Sequence, residues 1–404
     1  MFETIRWDGM SMLRQFLQDQ SIQNQPTKII YQYIFQNGLV SRAEIIEKTN
    51  LNRGKVARSL KELLEKNYIQ VEGLGDSEGG RPPALYQVNP VTSFLIGIQI
   101  TRWETKMVLY DLLLNKIDEK TIIMLPNHSP MFVIDEIKNT INKFMKSHLI
   151  QVEDILGIGI GAIGPLDSEK GTILQSEPFL PMSWGQIPVV DQIKEEFPIF
   201  VKLDNAANTI VLGESKQYPA FQNILNVTVG WTLGSGAIHN GKLLKIESGD
   251  IAGYGHIVIH MDGKPCYCGK KGCMTAYSSL YAILERIKEC SPAFYLEKLK
   301  GFSPVDQISH IVAEHDQMTK EVILDSAKYI GVGVANLATI FHSEIVIVNG
   351  PLISQFPGYY EEIIQQASLH MNDQGKIQFR QGNFQRDPGT LGAAMLVLDS
   401  FLGE

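Results

Sequence analysis

The sequence predicts an α/β protein in which a small, mainly helical head precedes a larger body. Residues 1–90 show three short helical patterns followed by two alternating strand patterns, whereas strand and helix patterns alternate from Val91 onward. The length of 404 residues agrees, because it suggests two or three folded units, each large enough for its own core.

Charge is distributed unevenly between these two parts. Residues 1–90 contain 11 Lys and Arg against 10 Asp and Glu, and residues 91–404 contain 25 Lys and Arg against 34 Asp and Glu. The whole chain therefore has a net charge of −8. This balance argues against a uniformly basic nucleic-acid coat but leaves room for a local basic face. Four cysteines exclude a disulfide scaffold, and no apolar run approaches the ~18 residues that span a bilayer. With no secretory signal visible, we expect a cytoplasmic protein without membrane association.

The helices of the head have recognisable start and stop signals. The first begins at Pro26-Thr27 and ends at Asn37-Gly38. Ser41-Arg-Ala-Glu44 is a capping box that begins a second helix reaching about Lys48, and Asn52 caps a third. The third helix has an apolar face of Val56, Leu60, Leu63 and Leu64. Two short helices joined by the polar turn Thr49-Asn50 have the spacing of a helix-turn-helix.

A ribbon follows these helices. The strands Tyr68–Glu72 and Leu85–Val88 enclose a Gly-rich loop that ends in Arg81-Pro-Pro83, as in a wing. We therefore predict a winged helix-turn-helix DNA-binding domain over residues 1–90, because a generic three-helix packing module needs neither the loop nor Arg81. The predicted DNA contacts are Ser41, Arg42, Asn52, Arg53, Lys55, Arg58 and Arg81. An amphipathic segment, Met10–Leu17, either covers this core or packs on a partner subunit.

The sequence pattern of the body predicts alternating strands and helices. The predicted strands are Phe94–Ile100, Thr105–Tyr110, Ile155–Ile160, Ile199–Leu203, Ile224–Val229 and Glu344–Val348. The predicted helices are Pro130–Lys146, Ala207–Lys216, Ser278–Glu289 and Thr319–Phe341. Gly-rich turns follow several strands, and ligands of α/β sheets bind at such turns.

A metal site is predicted by one compact group of residues. His256 precedes Cys266, Cys268 and Cys273, and Gly269 and Gly272 allow the chain to fold tightly around an ion. Three Cys and one His supply the four ligands of a closed structural zinc site. Buried thiols or a disulfide are the alternatives, although a Cys-x-Cys bridge is strained. We expect the remaining Cys290 in the core.

Taken together, these residues resemble the ROK family of repressors and sugar kinases, which share a two-lobed, actin-like ATPase fold. The motifs occur in the family's order: Ser41–Glu44, Gly79–Pro83, Gly157–Gly161, Asp204-Asn205, Gly234–Gly236, Gly255-His256, Cys266–Cys273 and Leu391–Ala394. The resemblance implies a ROK-like domain over 91–404. Its first lobe would be about 91–205 plus the C-terminal helix, and its second about 206–387 with the zinc loop. It is similar to the repressor branch, whose members are homodimers or homotetramers that bind pseudo-palindromic operators.

Departures from the family pattern affect catalysis. The stretch Gly97–Trp103 lacks the carboxylate and both glycines of the kinases' first phosphate loop, and the second loop has Thr232 in place of a glycine. Ala206 stands where the kinases have their aspartate base, and a methyl group cannot accept a proton. We therefore expect no kinase activity.

Sugar recognition is altered as well. Gly253 and Thr275 replace two carboxylates that bind sugar hydroxyls in the family, while Asp204, Asn205 and His256 remain as candidate effector residues. We expect a DNA-binding transcriptional regulator, a repressor of carbohydrate-related genes that responds to a sugar or sugar derivative. The alternatives are a sugar kinase with an accessory DNA-binding domain and a regulator controlled by a protein partner.

Overall fold

The protein was analysed as a computed structural model that describes residues 12–75, 82–174, 184–245, 248–250, 253–302, 304–313, 317–371, 377–383 and 386–403. The N-terminal domain contains the helices α1 (Met12–Gln18), α2 (Gln25–Asn37), α3 (Arg42–Thr49) and α4 (Arg53–Glu65), and the strands β1 (Val40–Ser41), β2 (Ile69–Leu74) and β3 (Ala84–Val88). The predicted helix-turn-helix and ribbon are therefore present.

Local signals explain where these helices begin and end. The Ser41 side chain accepts a hydrogen bond from the Glu44 amide, and the Glu44 carboxylate accepts one from the Ser41 amide, which completes the predicted capping box. Asn50, in the left-handed conformation, ends α3, and the Asn52 side chain caps α4 through the Lys55 amide. The sequence missed β1, because two residues are too few to show alternation. β1 pairs with β3 and makes the ribbon a three-stranded sheet of order β1-β3-β2.

The first half of the body is built on a five-stranded sheet of order β10-β7-β4-β5-β6. Its strands are β4 (Phe94–Ile100), β5 (Glu104–Asp111), β6 (Lys116–Ile123), β7 (Ile155–Ala162) and β10 (Val201–Asn205), with a small ribbon of β8 (Leu166–Asp167) and β9 (Thr172–Ile173) beside them. The helices are α5 (Pro130–His148) and α6 (Val189–Lys194). β10 begins two residues later than predicted, because its pairing with β7 starts at Val201 and continues to Asn205. Asp204 and Asn205 consequently end a parallel strand.

The second half is built on a sheet of order β13-β12-β11-β15-β16. These strands are β11 (Ile224–Val229), β12 (Leu233–His239), β13 (Lys242–Leu243), β15 (Ile345–Asn349) and β16 (Gln378–Gln381), and β14 (Ser248–Asp250) pairs with β8. The helices are α7 (Ala206–Ser215), α8 (Thr275–Ser278), α9 (Leu280–Cys290), α10 (Pro292–Phe294), α11 (Pro304–Ala313), α12 (Gln317–Ile340), α13 (Pro351–Gln355), α14 (Tyr359–Leu369) and α15 (Pro388–Leu402).

The two helices α7 and α15 connect the two sheets. α15 follows the second sheet along the chain but packs against β4 and β7 of the first sheet, and also along α7. The backbones of α7 and α15 approach closely because Gly392 has no side chain. A β-carbon at this position would lie 1.7 Å from the Thr209 carbonyl oxygen. Glycine is therefore required where these two helices meet.

The N-terminal domain shares a hydrophobic core with the body. Leu13, Phe16 and Leu17 of α1 are buried in the same cluster as Leu398 and Leu402 at the end of α15. The Arg14 guanidinium lies over the rings of Phe200 and Phe401, 5.8 Å from each centroid. The amphipathic N-terminal segment thus packs on its own chain. In the part of the chain that the structure describes, no helix combines the length and apolarity needed to cross a membrane.

Candidate functional site

Four of the seven predicted DNA-contact residues lie in the first two turns of α4 or at its N-cap. Asn52, Arg53, Lys55 and Arg58 are all exposed, whereas Val56, Leu60 and Leu63 on the opposite face are buried in the domain core. The first turn of α4 contains no acidic residue. The positive end of the helix dipole and three cations therefore face the same side, which suits phosphate and base-edge contacts.

The other predicted contacts have different surroundings. Arg42 is exposed and donates a hydrogen bond from Nη2 to the Arg53 carbonyl oxygen, 3.2 Å away, so its charge lies beside the start of α4. Ser41 is buried, and its hydroxyl is used as the α3 cap. Arg81, predicted at the tip of the wing, lies outside the described residues.

The four predicted metal ligands come together. The ligand atoms of His256, Cys266, Cys268 and Cys273 all lie within 4.8 Å of one another, and the thiols form no disulfide. Cys266 Sγ is 3.4 Å from His256 Nδ1, and Cys268 Sγ is 3.7 Å from Cys273 Sγ. A tetrahedral zinc ion with the usual bond lengths requires edges of about 3.5 Å and about 3.8 Å for these pairs. The cluster could therefore hold a metal ion.

The surroundings of this cluster favour a neutral imidazole at His256 but oppose a thiolate at Cys266 that has no cation beside it. Burial and the charge of Lys270 lower the pKa of His256, which keeps the imidazole in its neutral, metal-binding form at pH 7. Burial raises the pKa of the Cys266 thiol to about 12, so a cation is needed to stabilise its thiolate. His256 Nε2 lies 3.2 Å from the Tyr267 hydroxyl, which fixes the ring. Cys290, expected in the core, is instead exposed, because it is the last residue of α9.

A cavity of about 420 Å³ lies between the two sheets, at the carboxyl ends of β4, β10, β11 and β15. Trp103 lines it from the β4–β5 turn, and Trp231 lines it from the β11–β12 turn. The two indole rings meet edge to face, with centroids 5.6 Å apart. The Arg102 guanidinium lies 4.4 Å from the Trp231 centroid and 5.2 Å from the Trp103 centroid. Burial lowers the pKa of Arg102 to about 10, so it remains charged at pH 7.

Only one of the three predicted effector residues lines this cavity among the residues that the structure describes. Asn205 does so, next to the Ala206 methyl group. Asp204 is directed elsewhere: its Oδ1 accepts from Asn208 Nδ2 at 2.8 Å, and its Oδ2 lies 3.6 Å from Lys245 Nζ. His256 is held in the metal cluster and by Tyr267, not at the cavity wall. Thr228, Gln355 and Leu280 also line the cavity, and sequence reasoning missed them because they are brought there from distant segments.

A winged helix-turn-helix domain joined to a two-lobed, sugar-kinase-like body defines the class of protein, a DNA-binding transcriptional regulator. Residues 95–400 match the model of the ROK family, and residues 24–70 match that of a winged helix-turn-helix DNA-binding domain. The chain belongs to the ROK family.

Its relatives agree with this assignment. The chain is 30% identical to the xylose repressor of Caldicellulosiruptor bescii, over 79% of this chain and 81% of that protein. It is 26% identical to the xylose repressor of Bacillus subtilis, over 93% and 95% of the two chains. Its fold resembles the crystal structure of a ROK family transcriptional regulator, a homologue of the Escherichia coli MLC protein. That comparison has a TM-score of 0.76 at 21% identity and covers 93% and 96% of the two chains.

Proposed function

We propose that the protein is a transcriptional repressor of carbohydrate genes, acting in the cytoplasm, that binds an operator with its winged helix domain and senses an effector with its ROK body. The observation that carries this proposal is the exposed cationic start of α4 on a chain whose relatives are sugar-gene repressors. A metabolite-controlled repressor needs a DNA-binding domain and a domain that binds an effector, and this proposal assigns one part of the chain to each.

In this proposal α4 enters the major groove. Arg53, Lys55 and Arg58 contact bases or phosphates, Arg42 supports them from α3, and Arg81 reaches the minor groove from the wing. Ser41 contributes by fixing the first turn of α3, and its backbone lies near the phosphates. As a homodimer or homotetramer, the protein presents two α4 helices to a pseudo-palindromic operator with half-sites about 34 Å apart or a multiple of it.

The body acts without phosphoryl transfer. The Ala206 methyl group occupies the position of a base, and the carboxylate of the preceding Asp204 is already engaged by Asn208 and Lys245. Arg102 and two indole rings fill the turns that would need bare backbone amides around phosphates. A coupled ADP-release assay over a panel of sugars tests this part, and turnover above background would contradict it.

Zinc is the metal that suits the Cys₃His cluster. It would cross-link His256 to the segment Cys266–Cys273 and so hold a loop that Thr275 also ties to the Gly255 carbonyl oxygen. Its role is structural, because four protein ligands leave no open position for a substrate.

A continuous set of contacts connects the cavity to the DNA-binding domain. Asn205 lines the cavity and caps α7 through the Ala207 amide, α7 packs on α15, and the end of α15 shares its core with α1. Because the backbones of α7 and α15 are in direct contact at Thr209 and Gly392, a shift of α7 would displace α15 as well. Effector binding would in this way change the separation of the two α4 helices and release the operator.

Fluorescence anisotropy with the DNA upstream of the protein's own gene tests DNA binding. Arg53→Ala and Arg58→Ala are each expected to weaken binding. Each is also expected to reduce the slope of log Kd against log salt concentration by about one, which corresponds to one counterion fewer released on binding. Lys143→Ala is the matched control, because this exposed lysine lies on α5 of the body. Unchanged affinity and salt slope in both arginine variants would contradict the proposed docking.

A further inference from the structure

We infer that Arg102, Trp103 and Trp231 form a releasable latch that holds the two halves of the body together beside the cavity. This inference goes beyond the proposed function, because it concerns the resting conformation of the body and is independent of the identity of the effector. Release of the latch would allow the two halves to move relative to each other about α7 and α15.

The latch joins elements that belong to different sheets. Arg102 and Trp103 lie in the turn between β4 and β5 of the first sheet, and Trp231 lies in the turn between β11 and β12 of the second. All three residues line the same cavity, which α7 also lines. Because α7 packs against strands of both sheets, the halves meet around the cavity at a helix and at a group of side chains.

The side chains of the latch contact one another directly. The indole rings of Trp103 and Trp231 meet at an interplanar angle of 88°, a geometry that aromatic pairs favour. The Arg102 guanidinium lies within 6 Å of both ring centroids, which is close enough for attraction by the quadrupole of each ring. One cation therefore contacts an indole from each half of the body. All three side chains are half-buried, and this attraction is consequently stronger than at an exposed site.

Each turn is hydrogen-bonded to its own half of the body. The Trp103 carbonyl oxygen accepts from the Met124 amide at 2.7 Å, next to the end of β6. The Trp231 carbonyl oxygen accepts from the Tyr281 amide of α9 at 3.4 Å, and the Tyr281 ring lies 6.1 Å from the Trp231 ring. Separation of Trp103 from Trp231 would leave these hydrogen bonds intact. The ring and guanidinium contacts can therefore be broken without unfolding either half.

The hydrophobic cores also distinguish the two indoles. Trp231 packs against the core cluster of the second half. Trp103 is part of no core cluster among the residues that the structure describes, so its ring is positioned by the contact with Trp231 and Arg102. A ring that belongs to the core of neither half can leave its partner without creating a cavity in a core.

Far-ultraviolet circular dichroism of the full-length protein tests the ring contact in solution. Two indoles in contact couple their electronic transitions and produce an exciton couplet. We expect this couplet in the parent protein and its loss in both Trp103→Phe and Trp231→Phe. Trp184→Phe is the matched control and should retain it, because the same exchange is made at a buried indole in the core of the first half.

The contribution of Arg102 is tested with both indoles in place. Arg102→Gln removes the cation and is expected to lower the amplitude of the couplet by about half or more. Arg102→Lys keeps a positive charge and is expected to retain more of the amplitude than Arg102→Gln. Thermal unfolding shows that each variant is folded.

Small-angle X-ray scattering measures whether the halves separate. Trp231→Ala and Arg102→Gln are expected to have a larger radius of gyration than the parent protein, compared at the same oligomeric state as verified by light scattering. Trp184→Phe is expected to keep the parental value. If Trp231→Ala does not fold, the milder Trp231→Phe and Arg102→Gln provide the measurement.

Three results would each overturn the inference. The first is a parent protein without a couplet, or with one that Trp103→Phe retains, because the two rings would then not be in contact. The second is an undiminished couplet in Arg102→Gln, and the third is an unchanged radius of gyration in the latch variants. Neither measurement involves operator or effector binding, so failure of this inference leaves the proposed function unaffected.

Discussion

Replacement of Gly392 by alanine tests the contact between α7 and α15 on which the coupling depends. A β-carbon at position 392 would lie 1.7 Å from the Thr209 carbonyl oxygen and 2.6 Å from its carbonyl carbon. Non-bonded carbon and oxygen atoms require more than 3 Å, so the two helices must separate by roughly 1.5 Å. Adjacent contacts would be strained as well, because Gly159 faces the Ala393 carbonyl oxygen at a similar hypothetical distance of 1.7 Å.

The expected cost follows from two opposing contributions. Overpacking that moves the backbone costs about 3 kcal/mol or more, whereas alanine gains up to about 1 kcal/mol over glycine in helix propensity. We therefore expect Gly392→Ala to lower the free energy of unfolding by about 2 kcal/mol. Gly54→Ala in α4 is the matched control. Its nearest contact is Asn52 Oδ1 at 3.5 Å, so we expect no loss and a gain of up to about 0.5 kcal/mol.

Urea unfolding followed by far-ultraviolet circular dichroism measures both variants. Gly392→Ala should unfold at a lower urea concentration than the parent protein, and Gly54→Ala should not. If Gly392→Ala unfolds together with the parent protein, the helices separate at no cost, and the rigid connection from cavity to DNA-binding domain is refuted.

Two further predictions concern the metal cluster and α1. Metal analysis of the purified protein is expected to give one zinc ion per chain. The Cys268→Ser variant should lose this zinc and unfold at a lower temperature. The control variant Cys290→Ser, in which an exposed thiol is replaced, should retain it. A Cys268→Ser variant with a full equivalent of zinc would contradict the ligand set. Arg14→Ala removes the guanidinium that lies over Phe200 and Phe401. We expect it to leave operator affinity within about three-fold while reducing the effector-induced loss of DNA binding. Met12→Ala, which alters an exposed residue of the same helix, is its control, and an unchanged effector response in Arg14→Ala would contradict the coupling through α1.

The N-terminal domain was predictable because its signals are local. Each of these signals acts within one or two turns of a helix. They are the capping box of Ser41 and Glu44, the N-cap Asn52, and the apolar face of Val56, Leu60 and Leu63. The Cys₃His cluster was predictable for the same reason, because three of its ligands lie within eight residues. β1 was not, since its formation depends on pairing with β3, more than 40 residues later along the chain.

The cavity shows the limit of such reasoning. The sequence alone brought Asn205 to attention, and its resemblance to the ROK family led us to expect no aspartate base at Ala206. It also suggested His256, already predicted as a metal ligand, and Asp204 as effector contacts, but only the tertiary structure decided that neither lines the cavity and that Asp204 is bonded to Asn208.

The same holds for the aromatic walls and for the connection to the DNA-binding domain. Trp103 and Trp231 are 128 positions apart and meet edge to face only because the carboxyl ends of two separate sheets meet. Arg14 lies over both Phe200 and Phe401 because α15 returns from the second sheet to the first. Short-range hydrogen bonds and hydrophobic periodicity depend on residues that are close together in the sequence, and they can therefore be predicted from it. The packing of distant segments depends on the fold of the whole chain.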